Sequence, residues 1–164
     1  MKRCSRLNDA DDLCAFSRTI SSIGRALSLP LLEEVNLAQD EFYYCRSNPT
    51  PALESFFRTY PTIKTVKLCG HWAWGSILGL FVATPTRQLC PLLQDLWLAP
   101  AKPLNESVLL EVVKSRTTPE VDSPHLRGVV PLQRLFFGPN DERLSLSVLA
   151  TLRTHVAVDF KYPH

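Results

Sequence analysis

A proline followed by apolar residues at fixed offsets recurs along this chain. Pro30-Leu31-Leu32-Glu33-Glu34-Val35-Asn36-Leu37, Pro61-Thr62-Ile63-Lys64-Thr65-Val66-Lys67-Leu68 and Pro91-Leu92-Leu93-Gln94-Asp95-Leu96-Trp97-Leu98 share the pattern Pro-x-apolar-x-x-apolar-x-apolar. Pro131-Leu132-Gln133-Arg134-Leu135-Phe136-Phe137 is a shorter fourth copy. The equivalent residues Val35, Val66, Leu96 and Leu135 follow one another at intervals of 31, 30 and 39 residues. Periods of this size mark stacked units, each burying its apolar side against the next. The last apolar positions of each copy alternate with other residues, as one half-buried strand requires. Strands are therefore expected near residues 31–37, 62–68, 92–98 and 132–137, with a fifth near 156–160 from Val156-Ala157-Val158-Asp159-Phe160.

Between the strands the apolar spacing changes to that of helices. From Asp11 or Asp12, the residues Leu13, Phe16, Ile20, Ile23 and Leu27 step by three and four along one helical stripe, which Pro30 stops. Asn48-Pro49-Thr50-Pro51 predicts a helix start with Thr50 as N-cap and Pro51 at the first helical position, ahead of Leu53, Phe56, Phe57 and Tyr60. Helical spacing resumes from about Ser76 through Ile77, Leu80, Phe81 and Thr84. A further helix, capped by Asn105, carries Val108, Leu109, Val112 and Val113, with Lys114 and Arg116 suited to its C-terminal dipole. Thr117 to Gly128 reads as a loop, and a last helix carries Leu144, Val148, Leu149 and Leu152.

Regular alternation of strands and helices implies a parallel sheet with right-handed crossovers. A doubly wound sheet buries its strands on both faces, and such strands read as continuous apolar runs. Here each run is interrupted at the same offsets. The expected fold is therefore α/β: a single domain over residues 1–164 with four to five irregular strand-helix repeats, stacked as a solenoid. Its parallel sheet would curve with the strands on the concave face and the helices on the convex one. Glu34, Asn36, Thr65, Lys67, Asp95, Trp97, Arg134 and Phe136 flank the second apolar position of each copy and are the candidate protein-binding residues of that concave face. His71, Trp72 and Trp74, in the loop Cys69-Gly70-His71-Trp72-Ala73-Trp74-Gly75, are candidates for its rim.

Composition narrows the function classes. With 164 residues, 45% of them hydrophobic, the chain can bury a sizeable core. Its net charge of +2 comes from scattered basic residues, which points to neither nucleic acid nor an anionic membrane as partner. No apolar run is long enough to span a bilayer. Met1-Lys2-Arg3-Cys4-Ser5-Arg6 is followed by an amphipathic acidic segment rather than a secretory core, so a cytoplasmic or nuclear home is expected. Cys4, Cys14, Cys45, Cys69 and Cys90 are odd in number and contain no C-x-x-C pair. They predict reduced, structural thiols and neither a disulfide framework nor a metal site.

Chemistry-bearing patterns are sparse, and no cofactor is implied. Gly75-Ser76-Ile77-Leu78-Gly79 places its serine one position early for a nucleophile elbow. Cys69 and His71 stand two apart, and a strand would set both on one face, as a thiolate and its base require. They define the alternative reading, a small intracellular α/β hydrolase or thiol enzyme.

Leu89-Cys90-Pro91-Leu92-Leu93-Gln94-Asp95-Leu96-Trp97-Leu98 resembles the leucine-rich-repeat strand L-C-P-x-L-x-x-L-x-L common in F-box proteins. Thr62 to Gly70 is similar to the preceding repeat of that family. Leu110 to Arg116, with the loop, strand and Leu149 to Phe160 segment that follow, resembles the carboxyl-terminal end of F-box/leucine-rich-repeat proteins abundant in mushroom-forming fungi. The similarity runs from about Leu27 to Phe160. It implies a repeat array that presents a protein substrate to a cullin-based ubiquitin ligase, while the F-box itself, which binds the ligase adaptor, is not evident here. Leu29-Pro30-Leu31-Leu32-Glu33-Glu34-Val35 superficially resembles an F-box opening but lies in register with the other copies and reads as strand.

Overall fold

The structure, a computed structural model, describes residues 19–20, 22–23, 29–39, 48–117, 128–138 and 144–160. Along the chain these form β1 (Glu34–Gln39), α1 (Thr50–Thr59), β2 (Thr65–Gly70), α2 (Trp74–Gly79), β3 (Asp95–Pro100), α3 (Glu106–Thr117), β4 (Arg134–Phe137), α4 (Leu146–Arg153) and β5 (Ala157–Phe160). All strand pairs are parallel, in the order β1-β2-β3-β4-β5. The order never reverses, so right-handed crossovers place the connecting helices on one side of the sheet. The protein is thus α/β, and among the described residues its parallel sheet has five strands with β1 and β5 at the edges.

The repeated proline has a defined task. In the first three copies it follows a residue whose carbonyl accepts from the N–H three positions on: Leu32 to Leu29 (3.1 Å), Ile63 to Tyr60 (3.4 Å) and Leu93 to Cys90 (3.0 Å). Proline therefore sits second in a β-turn, where its fixed φ is an advantage. The turn uses residues assigned to strand from sequence, so β1, β2 and β3 begin at residues 34, 65 and 95 instead of 31, 62 and 92. The residue before each strand then joins neighbouring units. Glu33 C=O accepts from Lys64 and Thr65 N–H, Lys64 C=O from Gln94 and Asp95, and Gln94 C=O from Gln133 and Arg134, all between 2.8 and 3.1 Å.

One sheet face makes the core. Val66, Leu68, Leu96, Leu98, Leu135 and Phe137 are buried together with Leu53 and Phe57 of α1, Ile77 and Leu78 of α2, Leu109, Val112 and Val113 of α3, and Leu152 of α4. The stripe from Asp11 to Leu27 lies largely outside the described residues, although Thr19, Ile20, Ser22 and Ile23 are helical and Ile20 is in the core. Thr117 to Gly128 is described only at its two ends. The cap of α1 differs from expectation. Thr50 contributes no capping side chain; the Asn48 side-chain oxygen accepts from Thr50 N–H at 3.0 Å instead, with Pro51 in the first turn. Asn105 caps α3 as its sequence predicts, its Oδ1 accepting from Val108 N–H at 3.3 Å.

The segment after β2 departs most from the sequence reading. Gly70 has φ +103°, and a Cβ there would lie 1.9 Å from Gln39 O, so only glycine fits beside β1. Trp72 and Trp74, the rim candidates, are 3% and 4% exposed and pack inward. Trp72 Nε1–H donates to Cys69 C=O at 2.9 Å, and Trp74 starts α2 and joins the core. Helix α2 stops at Gly79 rather than continuing to Pro85, because Thr84 and Arg87 close a tight turn with paired backbone bonds.

Arg116 explains how that irregular segment is held. It stands in the last turn of α3 as its sequence predicts, and it is buried there, donating to Phe81 C=O (2.6 Å), Leu89 C=O (2.6 Å) and Cys90 C=O (3.1 Å). Burial pulls its pKa down to about 10, still high enough to leave it cationic at neutral pH. The guanidinium replaces strand partners that these carbonyls lack.

Candidate functional site

The register sets the eight candidate residues on the sheet face opposite the core, in two cross-strand rows. Glu34, Thr65, Asp95 and Arg134 are neighbours in one, and Asn36, Lys67, Trp97 and Phe136 in the other. Side chains two apart on a strand share a face. The fifth strand adds Ala157 and Asp159 to these rows. Asp159 was not singled out from sequence, although its alternation with Val158 and Phe160 carried the signal.

The rows form one connected array. Lys67 Nζ lies 2.8 Å from Glu34 Oε1 and 5.3 Å from the centre of the Trp97 ring. Trp97 stacks on Phe136 with centroids 3.8 Å apart and planes inclined by 12°. The Arg134 guanidinium sits 5.6 Å from the Phe136 ring centre and grips Asp95 with two hydrogen bonds, Nε to Oδ1 at 2.7 Å and Nη2 to Oδ2. Trp97 thus lies between a cation and an aromatic ring, an arrangement that fixes its orientation.

Sharing the face does not make these residues equally accessible. Glu34, Asn36 and Arg134 are exposed, and Thr65, Lys67 and Trp97 are half-buried. Phe136, expected in a solvent row, is 5% exposed, and Asp95 is 9% exposed. The Trp97 stack and the nearby Arg134 help to shield Phe136, and the two-bond grip of Arg134 covers Asp95. Hydrogen bonding to Asp95, reinforced by its negative charge, raises the pKa of Arg134 above the usual arginine value, so the guanidinium holds its proton firmly. The energetic worth of the pair is modest because the guanidinium is in water.

Cys69 closes the same face, between Ala38 and Ala99. Burial pushes its thiol pKa up, and the opposing pull of Lys67 is the smaller influence. His71 follows beyond Gly70 and is half-buried. The arrangement therefore offers a protonated thiol at neutral pH, opposite to what a nucleophilic cysteine needs. Among the described residues, no group of three or more His, Cys, Asp and Glu side chains is placed to hold a metal ion, and no helix is long and apolar enough to cross a membrane.

Two shallow depressions flank α3 on the helical layer. One, of about 730 Å³, lies between Leu104, Leu110 and Val148, and the other, of about 530 Å³, between Val82, Pro85 and Leu110. Neither contains a candidate residue from the sheet. In comparison with known proteins, the chain matches no family model and no curated protein.

Proposed function

We propose that the chain is a non-catalytic protein-binding module of leucine-rich-repeat type, a solenoid whose concave face carries the Glu34-Lys67-Trp97-Phe136-Arg134-Asp95 array. The more specific reading is the substrate-recognition part of an F-box-type ubiquitin-ligase adaptor, working in the cytoplasm or nucleus. The array itself carries the proposal. It spans four neighbouring strands and combines a stacked tryptophan with an arginine held in a two-bond ion pair, residue types that dominate binding hot spots. Because its side chains are already tied to one another, docking a partner freezes few additional rotamers. The proline turns and the inter-unit carbonyl bonds support the repeat reading. The resemblance of Leu89 to Leu98 to the repeats of F-box proteins supports the ligase reading.

Affinity capture from a fungal lysate, using the natural chain with any upstream coding sequence restored, tests both levels. Binding through this face predicts a specific partner that is lost with Trp97→Ala and with Arg134→Ala while circular dichroism is unchanged. The ligase reading further predicts a cullin-ligase component in the eluate. A partner retained by both variants would remove the face from the proposal; a partner without ligase components would remove only the adaptor role. The thiol-enzyme alternative, built on Cys69 and His71, is the weaker one because burial disfavours the Cys69 thiolate.

A further inference from the structure

Strand β1 is an edge of the sheet among the described residues, and its ladder with β2 determines which of its backbone groups look outward. Glu33 C=O accepts from Thr65 N–H at 2.9 Å, and Gln39 C=O accepts from His71 N–H at 3.2 Å. Successive residues of a parallel strand pair on alternate sides. The odd-numbered residues of β1 therefore turn to β2, and the N–H and C=O groups of Glu34, Asn36 and Ala38 point to the open side. All three residues are exposed. Just before them Leu29 and Leu31 are 38% and 82% exposed, whereas Tyr60, which precedes the proline of the next copy as Leu29 does in the first, is 3% exposed. Such an edge is a template for another strand.

We propose that β1 pairs antiparallel with β1 of a second copy, across a two-fold axis that passes through the Asn36 pair. Complementarity of the strand with itself selects this occupant and this register. With the axis at Asn36, Glu34 meets Ala38 of the partner subunit, Asn36 meets Asn36 of the partner subunit, and each of the three outward residues exchanges both of its backbone hydrogen bonds. No like charges oppose one another across the strands, and Val35 comes opposite Leu37 of the partner subunit on the apolar side. An axis at Val35 uses only Glu34 and Asn36 and sets the Glu33 carboxylate against Leu37. An axis at Leu37 uses only Asn36 and Ala38. The two-fold arrangement also closes, joining both sheets without leaving a β1 edge to propagate a fibre. The candidate binding face continues across the junction, although the dimer does not depend on that function.

Amide hydrogen exchange on the wild-type protein, read together with sedimentation, tests the dimer. Exchange at Glu34, Asn36 and Ala38 is expected to slow by about tenfold or more as concentration rises and the sedimenting species doubles in mass. The odd-numbered amides of β1 should change far less. Asn36→Pro removes only an outward N–H and keeps an extended φ, so it should yield a monomer with unchanged circular dichroism. Protection of the three amides that is independent of concentration would mean that the chain covers its own edge, and would overturn the proposal. A monomer with fast exchange at these amides, a dimer protected elsewhere, or growth beyond a dimer would each overturn it as well. The wild-type exchange pattern decides the question even if Asn36→Pro fails to fold.

Discussion

Leu96 and Trp97 are adjacent and point to opposite faces of β3, so they separate the two tasks of the strand. Leu96 is fully buried in the core. Leu96→Ala should destabilise the protein by about 2–5 kcal/mol, measured by denaturant unfolding. Trp97 is half-buried and stacked, and Trp97→Ala should cost about 1–2 kcal/mol from the lost stack and its contact area. Partner binding should suffer more than folding in that variant. Sequence alternation was enough to place both residues on their faces, but the accessibility of Trp97 was not legible there because ring stacking depends on the neighbouring strand. Cys90 illustrates a second residue-scale effect. Its burial pushes the thiol pKa up to about 12 from an ordinary value of 9.0. Between those pH values the unfolded chain loses the proton while the folded chain keeps it, so stability from this group is complete below pH 9 and falls as pH rises towards 12. The loss should approach about 4 kcal/mol. The gap in unfolding free energy between wild type and Cys90→Ala should accordingly shrink from pH 8 to pH 11; a constant gap would show that Cys90 does not titrate in this way.

At the scale of elements, apolar periodicity locates α1, α3 and α4 well because each keeps a continuous stripe against the sheet. It misplaces the strand starts, since a β-turn and a strand both accept the Pro-x-apolar opening and only hydrogen bonding separates them. It also overextends α2. Leu80 and Phe81 are spaced as on a helix and are buried, yet the chain has already turned towards Thr84. Arg116 holds this irregular stretch by three carbonyls contributed by the segment between α2 and β3. Arg116→Met keeps most of the side-chain bulk but leaves these acceptors unpaired, and should lower unfolding free energy by about 3 kcal/mol or more. Amide exchange in residues 79–90 should accelerate more than in α3 itself. An equal change in both would mean that Arg116 supports the helix and not the segment.

At the scale of the whole molecule, burial falls from the middle of the sheet towards its edges. The core-facing residues of β2, β3 and β4 are fully or almost fully buried, while Val35 and Val158 are half-buried and Phe160 is 41% exposed. Units with less buried apolar area open at lower free energy. Native-state hydrogen exchange should therefore rank β3 above β1 and β5 in protection when it is measured at concentrations too low for association. Equal protection across the sheet would indicate a single all-or-none unit. At the β1 edge the three outward residues are exposed and mutually compatible with a second copy, which is where association through the sheet is expected.

What the sequence determined by itself is the alternation of units and the assignment of residues to two strand faces. Both follow from local spacing, because a strand has a period of two and a helix a period near 3.6. The eight candidate residues share a face for that reason. Which of them remain accessible was decided by tertiary structure: Asp95 is covered by a residue 39 positions away, and Phe136 by a ring 39 positions before it. The burial of the two loop tryptophans and of Arg116 was likewise decided there, since it depends on neighbours that periodicity does not specify. Local patterns set the direction in which a side chain leaves the backbone, and packing between distant segments sets what it meets there.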